Sequence, residues 1–319
     1  MAGRPSLITG ITGQDGSFLA EQLLAEGREV AGLVRRAHEP ELPLAPQLAG
    51  RVALVTADLR DEEGLRRAIA EVAPEEVFHL AAPAFVPDSW RRPSETMTAI
   101  AVATGVVIEA AREVDARVVV AGSSQVFAGS GSTPQREDTP PRPTNPYAAA
   151  KLAAHELVRV LRGDGAFAST LILYNHESPR RPERYVTRKL TRAAAAVSLG
   201  LEDRVLVGDL DAQRDWLHAE DVVRAMVLAA RHDEPDDYIV ASGVARTVRE
   251  FARAAFAVVG LDADEHLEVD PALVRGPEST VLAGDAAKAH ATLGWQPRIP
   301  FDALVREMVE ADLERLRRT

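Results

Sequence analysis

The chain has 319 residues, enough for about two domains, and 46% of them are apolar, enough for a sizeable core. Its 37 basic and 48 acidic side chains give a formal net charge of −11 at pH 7, which argues against non-specific binding to nucleic acid or to an anionic membrane. Cysteine is absent, which excludes disulfides and Cys-bound zinc, and no stretch is typical of a transmembrane helix or a signal peptide, so we expect a soluble, cytoplasmic protein without a metal centre.

Short β-rich runs alternate with amphipathic stretches through the first half of the chain. This alternation predicts a doubly wound parallel α/β sheet with helices on both faces. Runs such as VVVAG are apolar at successive positions, which is typical of strands covered on both sides. Strands are predicted at 7–9, 30–34, 52–55, 77–80, 118–121 and 168–173, and helices at 18–24, 63–71, 96–112 and 148–161.

The pattern changes after Tyr174, where Arg-rich and Pro-bounded segments surround further helical stretches. We expect a smaller, mostly helical C-terminal lobe that binds substrate. The predicted boundaries assign 1–173 with 203–235 to a cofactor-binding domain, and 174–202 with 236–319 to this lobe. Helices of the second half are predicted at 186–199, 219–230, 248–259 and 301–316.

A glycine-rich turn follows the first predicted strand. Gly10, Gly13 and Gly16 stand between that strand and a helix, where glycines permit a tight turn and let backbone N–H groups approach a pyrophosphate. Gln14 and Asp15, within the turn, are predicted to contact the same dinucleotide. The alternative is an ordinary strand-to-helix turn.

The end of the second strand selects between the two nicotinamide cofactors. An NAD site usually has an acidic residue there, whereas Arg35 and Arg36 suit the 2′-phosphate of NADP. We therefore predict NADP, with NAD less favoured; the alternative is that the arginines face solvent. Asp58 is predicted to bind the adenine amino group, unless it only caps a helix. The remaining predicted cofactor contacts, at the ends of the third and fourth strands, are Leu59, Leu80, Ala81 and Ala82.

Tyr147 and Lys151 form a Y-x-x-x-K motif at the start of a predicted helix. A spacing of four puts both side chains on one face, and a nearby ammonium is expected to lower the phenol pKa so that Tyr147 transfers a proton near neutral pH. Ser123, at the end of the preceding strand, can share the same substrate oxygen. Together with the glycine turn, these residues are typical of the extended short-chain dehydrogenases/reductases, to which the sequence is similar.

Within that superfamily the chain resembles the GDP-mannose 4,6-dehydratase family over most of its length. The resemblance is carried by GITGQDGSFLAEQLL, NHESPRR, VTRK and QRDW, and by the segment LGWQPRIPFDALVREMVEADL. It implies a Rossmann-type fold, a GDP-sugar substrate and site residues at matching positions. The implied substrate contacts are Ser124, Asn175, Val186, Lys189, Arg214, Arg275 and Glu278, and the further implied cofactor contacts are His176 and Arg181. Two alternatives remain open: Arg180 and Arg181 belong to a solvated basic loop, and His176 has only a structural role.

The catalytic stretch departs from the family at one position. Where the resemblance implies a glutamate that handles the C5 proton and assists loss of the C6 hydroxyl as water, this chain has Gln125. An amide does not accept that proton near neutral pH, and loss of a positioned acid/base typically costs about 10²–10⁴ in rate. The nearest carboxylate in sequence is Asp88.

The predicted sugar pocket departs as well. Pro83, Ala84 and Phe85 replace a polar trio, and Ile100 stands where the family has a polar residue, so a drier pocket is expected. A serine-rich segment that the family has after Arg36, and that helps to build its tetramer, is missing. This absence favours a homodimer.

Four hypotheses about function remain. The favoured one is oxidation and re-reduction at C4 of a GDP-hexose, a 4-epimerase reaction that needs Ser123, Tyr147 and Lys151 but no glutamate. The alternatives are a 4,6-dehydratase, a reductase of a GDP-4-keto-6-deoxy sugar and a catalytically dead sugar-nucleotide sensor.

Overall fold

A computed structural model describes the protein over residues 3–35, 44–273 and 280–318. The strands are β1 (Ser6–Thr9), β2 (Val30–Val34), β3 (Ala53–Thr56), β4 (Glu76–His79), β5 (Arg117–Ala121), β6 (Ala168–Leu173), β7 (Asn175–Glu177), β8 (Val205–Val207), β9 (Gln213–His218), β10 (Asp237–Val240), β11 (Ala245–Thr247) and β12 (Leu267–Val269). The helices are α1 (Gln14–Ala25), α2 (Glu62–Val72), α3 (Val86–Arg91), α4 (Pro93–Met97), α5 (Ala103–Glu113), α6 (Pro146–Gly163), α7 (Val186–Ser198), α8 (Ala219–Arg231), α9 (Val248–Val258), α10 (Ala287–Leu293) and α11 (Phe301–Arg317).

A seven-stranded parallel sheet forms the centre of the molecule, in the order β10-β6-β5-β4-β1-β2-β3. This confirms the predicted doubly wound sheet. The chain builds outward from β1 in one direction and from β4 in the other, so the strand order reverses between these two neighbours. In such sheets the crevice at the carboxyl ends of the strands on either side of the reversal is where ligands bind. Thr9 and His79 are register partners at that point.

The sheet is covered on both faces, as the apolar strand runs predict. Neighbouring residues of β1 point to opposite sides: Ile8 packs into a cluster with α1 and α8, and Leu7 packs into a cluster with α2 and α5. Both side chains are fully buried, and burial of one such side chain contributes about 1.5–3 kcal/mol. The two clusters fix the sheet between its helical layers.

The C-terminal lobe contains helices and two small sheets, ordered β11-β9-β7 and β12-β8. Its core includes Trp216, Phe251 and Phe301, with ring centroids of successive pairs 5.1 and 5.7 Å apart. Strand pairing does not follow the boundaries predicted at 203 and 236, because β10 joins the large sheet whereas β8 and β9 join the small ones. The sheet that a strand joins is determined by contacts with residues distant in the chain, which the local sequence does not indicate.

One helical stretch of the described residues, Pro93–Glu113, is long and apolar enough to cross a membrane by length and composition alone. It comprises α4, a π-helical turn at Thr98–Val102 and α5. Of its 18-residue apolar window, 61% is buried inside the fold. The stretch packs against α2 and α6, as a core helix does.

A buried ion pair ties the lobe together. Arg188 of α7 bonds Asp312 of α11, with Nε 2.9 Å from Oδ1, and the Thr191 hydroxyl donates to the same carboxylate at 2.8 Å. Arg188 also donates to the carbonyls of Pro179 and Arg181. The pair therefore also holds the NHESPRR loop.

Replacing Asp312 with alanine would leave Arg188 buried without its counter-charge. We expect Asp312→Ala to lower the free energy of unfolding by about 3–5 kcal/mol, measured by urea denaturation. The control is Glu314→Ala on the same helix, which removes a pair with Arg318 whose side chains are 68% and 78% exposed; it should cost at most about 0.5 kcal/mol. Equal effects of the two substitutions would contradict the assignment.

Candidate active site

The helix that carries Tyr147 and Lys151 has a strong N-terminal signal. Asn145 is its N-cap, with Oδ1 accepting the Ala148 N–H at 2.8 Å, and Pro146 occupies the first position. Proline is favoured at this position because its missing N–H has no helical partner. Both predicted catalytic side chains are buried, and Lys151 donates to the Ala121 carbonyl at 2.7 Å.

The acid–base properties of the pair differ from the sequence expectation. Burial raises the pKa of Tyr147 to about 12, although the Ser123 hydroxyl, hydrogen-bonded to the phenol, acts in the opposite direction. Burial lowers the pKa of Lys151 to about 8. The Lys151 ammonium lies 5.9 Å from the centroid of the Tyr147 ring. The expected lowering of the Tyr147 pKa by Lys151 is not seen, because desolvation of the phenol has the largest effect and raises the pKa.

Gln125 lies beside these residues in a 3₁₀ turn, Ser124–Phe127, that Ser123 caps. Its backbone N–H donates to Ser123 Oγ at 3.3 Å, and its Oε1 accepts from Asn145 Nδ2 at 3.3 Å. The other candidate for a base, Asp88, is 56% exposed and lies 3.9 Å from Arg91. Gln125 is thus next to the catalytic hydroxyls, whereas Asp88 is a surface residue.

An apolar surface adjoins Tyr147. Ile100, buried in the π-helical turn, packs with Tyr147 and Ala150, and Ala82 and Val86 pack against this group. Phe85 meets Tyr185 at the start of α7 edge to face, with ring centroids 5.8 Å apart. These contacts agree with the expected drier pocket, although Pro83 and Ala84 are themselves exposed.

The glycine turn has the geometry of an anion cradle. Gly10 has φ +77°, and a Cβ on Gly16 would lie 2.3 Å from the Gly10 carbonyl oxygen. Helix α1 follows with no side-chain hydrogen bond at its N-cap, Gly13. An uncapped helix N-terminus presents backbone N–H groups and a partial positive charge. These residues fit a dinucleotide pyrophosphate, as the sequence predicts.

A polar network holds the neighbouring strand end against this turn. Thr9 Oγ1 lies 2.9 Å from His79 Nδ1 and accepts the N–H groups of Leu80 and Ala81 at 3.0 and 3.1 Å. Burial, aided by the Lys151 charge, lowers the pKa of His79 to about 3, so its ring is neutral. Thr9 and His79 were not predicted from the sequence, although a threonine and a histidine ending adjacent strands are a signal for such a contact.

The QDG and NHESPRR motifs bond to each other. Asp15 Oδ2 lies 2.9 Å from His176 Nε2, and Ser178 donates to Gln14 Oε1 at 2.7 Å. Burial opposes both charges, but the attraction between them lowers the pKa of Asp15 and raises that of His176. The two motifs therefore form one structural unit, in which His176 adjoins the glycine turn.

The arginines of NHESPRR are held within the fold. Arg180 bonds Ser17 at 2.9 Å and Glu21 at 2.8 Å of α1. Arg181 lies 3.0 Å from Glu177 and 3.6 Å from the centroid of the Tyr185 ring. The alternative of a solvated basic loop is therefore wrong for both residues.

The residues predicted to select the cofactor lie at the carboxyl ends of β2 and β3. Arg35 is exposed, and its charge is among those that lower the pKa of Asp58 to about 2, where the hydrogen bond from Arg60 has the largest effect. The N-cap of α2 is Asp61, so Asp58 is not that helix's cap. Leu59 follows Asp58, and Arg36 lies outside the described residues.

The predicted substrate contacts that the structure describes lie mostly on the lobe. Asn175 of β7 pairs in register with Trp216 of β9, and Arg214 lies two residues earlier on β9. Val186 and Lys189 lie in the first turn of α7, where Val186 is exposed and Lys189 is half-buried. Ser124, beside Gln125, is buried. The predicted pair Arg275 and Glu278 lies outside the described residues.

Comparison with known proteins gives matches over nearly the whole chain. A family model described as GDP-mannose 4,6 dehydratase matches residues 7–308. GDP-mannose 4,6 dehydratase 2 of Arabidopsis thaliana is 43% identical, over 98% of this chain and 88% of that protein. The UDP-glucose 4-epimerase of Thermus thermophilus, solved with NAD, has a TM-score of 0.83 and 30% identity, over 97% of this chain and 98% of that one. RMD from Pseudomonas aeruginosa, solved with NADPH, has a TM-score of 0.81 and 26% identity, over 98% and 99% of the two chains.

The glycine cradle leaves no room for a side chain at Gly16. We expect Gly16→Ala to weaken NADPH binding by about 10-fold or more, since the backbone must shift where it approaches the pyrophosphate. The measurement is titration of NADPH fluorescence. The control is Gly163→Ala near the end of α6, where an added Cβ meets nothing within 4 Å. Unchanged affinity in Gly16→Ala would contradict the cradle.

Proposed function

This chain belongs to the GDP-mannose 4,6-dehydratase family of the extended short-chain dehydrogenases/reductases, and from that premise we propose that it oxidises C4 of a GDP-hexose with NADP and returns the hydride without loss of water. Family membership itself makes it an NAD(P)-dependent sugar-nucleotide enzyme. The finer assignment depends on one observation. Where the family resemblance implies a glutamate, this chain has Gln125, an amide whose oxygen is hydrogen-bonded to Asn145.

The proposed chemistry begins at the C4 hydroxyl. Tyr147 takes its proton, while Ser123, already hydrogen-bonded to the phenol, shares the same oxygen. With its pKa near 12, Tyr147 needs a neighbouring positive charge to act as a base, and Lys151 supplies part of it when protonated. The oxidised nicotinamide, when bound, accepts the C4 hydride and adds a positive charge that favours the phenolate.

Re-reduction completes the proposed reaction. The 4-keto sugar turns over in the site, and the hydride returns to C4 on the opposite face while Tyr147 returns its proton to the oxygen. Dehydration needs, in addition, a base for the C5 proton. Gln125 is not a base near neutral pH, and Asp88 faces solvent. Because neither Gln125 nor Asp88 supplies a base for the C5 proton, the arrangement favours epimerisation over dehydration.

NADP is the cofactor that the residues favour. Arg35 directly follows β2, where a guanidinium suits a 2′-phosphate. RMD from Pseudomonas aeruginosa, which is similar in structure, was solved with NADPH, whereas the Thermus thermophilus epimerase was solved with NAD. The proposed contacts of the GDP portion are Asn175, Val186, Lys189, Arg214, Arg275 and Glu278.

We also propose a homodimer. Apolar side chains are exposed where α3, the π-helical turn and α6 lie together: Trp90 is 64% exposed, Val160 is 68% exposed, and Val102 and Leu157 are each more than a third exposed. Exposed apolar patches of this kind mark association surfaces. A second copy of the chain is the proposed occupant.

Two other activities have a specific observation in their favour. The curated relative from Arabidopsis thaliana is named a GDP-mannose 4,6 dehydratase, which favours dehydration by a group other than Gln125. The likeness to an NADPH-bound enzyme favours reduction of a 4-keto sugar. A sensor without catalysis is disfavoured, because a binding protein has no use for a buried Tyr–Lys pair.

The mass of the product distinguishes these activities. We expect GDP-mannose incubated with the enzyme and catalytic NADP to give an isobaric product with a new retention time in liquid chromatography–mass spectrometry. A mass lower by one water would contradict the proposal and identify a dehydratase. No product from GDP-mannose, together with a gain of two hydrogens by a GDP-4-keto-6-deoxy sugar and NADPH, would identify a reductase.

A carboxylate at position 125 should permit the loss of water that the proposed reaction lacks. In Gln125→Glu, Asn145 remains a donor to one carboxylate oxygen and leaves the other free to accept the C5 proton. We expect loss of water from GDP-mannose to rise by about 10²-fold or more, measured by product mass. Gln125→Met, of similar shape without the acid, is the control. Absence of water loss in Gln125→Glu would mean that the surface of Phe85 and Ile100 holds the sugar in another pose.

Removal of the Tyr147 hydroxyl should separate binding from chemistry. We expect Tyr147→Phe to lower the rate of hydride transfer by about 10²–10⁴-fold, followed by nicotinamide absorbance, with GDP-sugar affinity retained. Tyr238→Phe is a matched control, since the described residues offer its buried hydroxyl no hydrogen-bond partner. Retained turnover in Tyr147→Phe would exclude this residue from the mechanism.

A further inference from the structure

The orientation of the Gln125 amide is fixed by the cap of the catalytic helix. Amide oxygen and nitrogen are hard to distinguish by shape, so their partners must assign them. The Ala148 N–H can only donate, and its acceptor at 2.8 Å is therefore Asn145 Oδ1. This leaves Asn145 Nδ2 facing Gln125, where it can only donate, and the acceptor at 3.3 Å is Gln125 Oε1.

The other end of the Gln125 amide is then a donor beside the catalytic hydroxyls. Within residues 3–35, 44–273 and 280–318 no hydrogen bond is made by Gln125 Nε2, and the side chain is only partly buried. The Gln125 backbone N–H bonds Ser123 Oγ, and the Ser123 hydroxyl bonds the Tyr147 phenol. The two N–H groups of the side-chain amide are therefore available in the 3₁₀ turn that Ser123 caps and that contacts the N-cap of the Tyr147 helix.

We propose that Gln125 is a specificity-determining residue that donates an N–H to a hexose hydroxyl near the reacting C4, either the one on C3 or the one on C6. This inference rests on the proposed GDP-hexose substrate and adds which sugars are accepted: those that keep an oxygen at the contacted position. An amide N–H holds such an oxygen without protonating it, whereas a carboxylic acid at the same place also transfers a proton. Gln125 thus selects sugars that carry this oxygen and does not protonate it.

Asn145 is the positioning residue in this arrangement, and this permits a test that leaves Gln125 intact. In Asn145→Asp the carboxylate still accepts the Ala148 N–H, and aspartate is as good an N-cap as asparagine. Its other oxygen can only accept, so Gln125 turns its amide to donate to it. The oxygen of Gln125 then faces the sugar, and the donor is lost without loss of the helix cap.

The experiment measures binding without turnover, by calorimetry on the full-length Tyr147→Phe protein loaded with NADP. The probes are GDP-mannose, its 3-deoxy and 6-deoxy analogues, and GDP alone. We expect one deoxy analogue to bind about 3- to 10-fold more weakly than GDP-mannose, the range for loss of one neutral hydrogen bond. In Gln125→Leu and in Gln125→Met, which lack the N–H donor, this difference should disappear, while the affinity for GDP stays unchanged. In Asn145→Asp it should persist, because the sugar hydroxyl can donate to the Gln125 oxygen that now faces it.

The outcomes separate this inference from the proposed function. If GDP-mannose binds no more tightly than GDP to the parent protein, the proposed substrate fails, and the inference fails with it. If GDP-mannose is preferred but neither deoxy analogue is disfavoured, or if the discrimination survives both substitutions of Gln125, only the role of Gln125 is overturned. Thermal melting of each variant reports its folding, and Gln125→Met, of similar shape to glutamine, keeps the test available should Gln125→Leu fail to fold.

Discussion

The parallel pairing of β1 with β4 is the constraint on which the rest of the site depends. It sets Thr9 opposite His79 at the point where the strand order reverses. The Thr9 hydroxyl accepts the backbone N–H groups of Leu80 and Ala81, which follow β4. Its third hydrogen-bond partner is the His79 imidazole, which burial keeps neutral. Ala81 then lies in contact range of Gly10, so the glycine cradle and the segment after β4 pack against each other. A protonated His79 would be destabilised in that position, because it would be buried and would lie near the charge of Lys151.

The C-terminal lobe is attached to this frame through helix α1. Gln14 and Asp15, in the first turn of α1, bond Ser178 and His176. Arg180 adds bonds to the next turns of the same helix, and Arg188 anchors the other end of the loop to α11. The NHESPRR loop is therefore held at both ends by buried or half-buried charged groups. Such groups are costly to separate, so these contacts fix the loop against α1 and α11.

Much of the fold could be predicted because the relevant information is local. Strand and helix periods, the glycine turn and the Y-x-x-x-K spacing all depend on residues within one or two turns of each other, and the seven-stranded sheet confirms what they predict. Pairings across long separations were not predictable: Asp15 meets His176 at a separation of 161 residues, and β10 joins the large sheet from within the segment predicted as lobe. The QDG and NHESPRR motifs were each recognised, yet nothing in either string indicates that they bond each other. The Asn145 cap was open to prediction, since asparagine before proline is a helix-start pattern.

Burial explains why the acid–base chemistry of the site departs from the motif. The same desolvation that raises the pKa of Tyr147 to about 12 lowers that of Lys151 to about 8, so both resist the charged form that proton transfer requires. In the proposed mechanism the positive charge of the bound cofactor favours the phenolate, so proton transfer depends on cofactor occupancy. The side chain at position 125 is then proposed to determine whether the oxidised sugar loses water. A carboxylate there would add a second proton-transfer group, whereas the Gln125 amide, held by Asn145, contributes only hydrogen bonds. On the proposed function, the exchange of a carboxylate for an amide at this position is what keeps loss of water from following oxidation at C4.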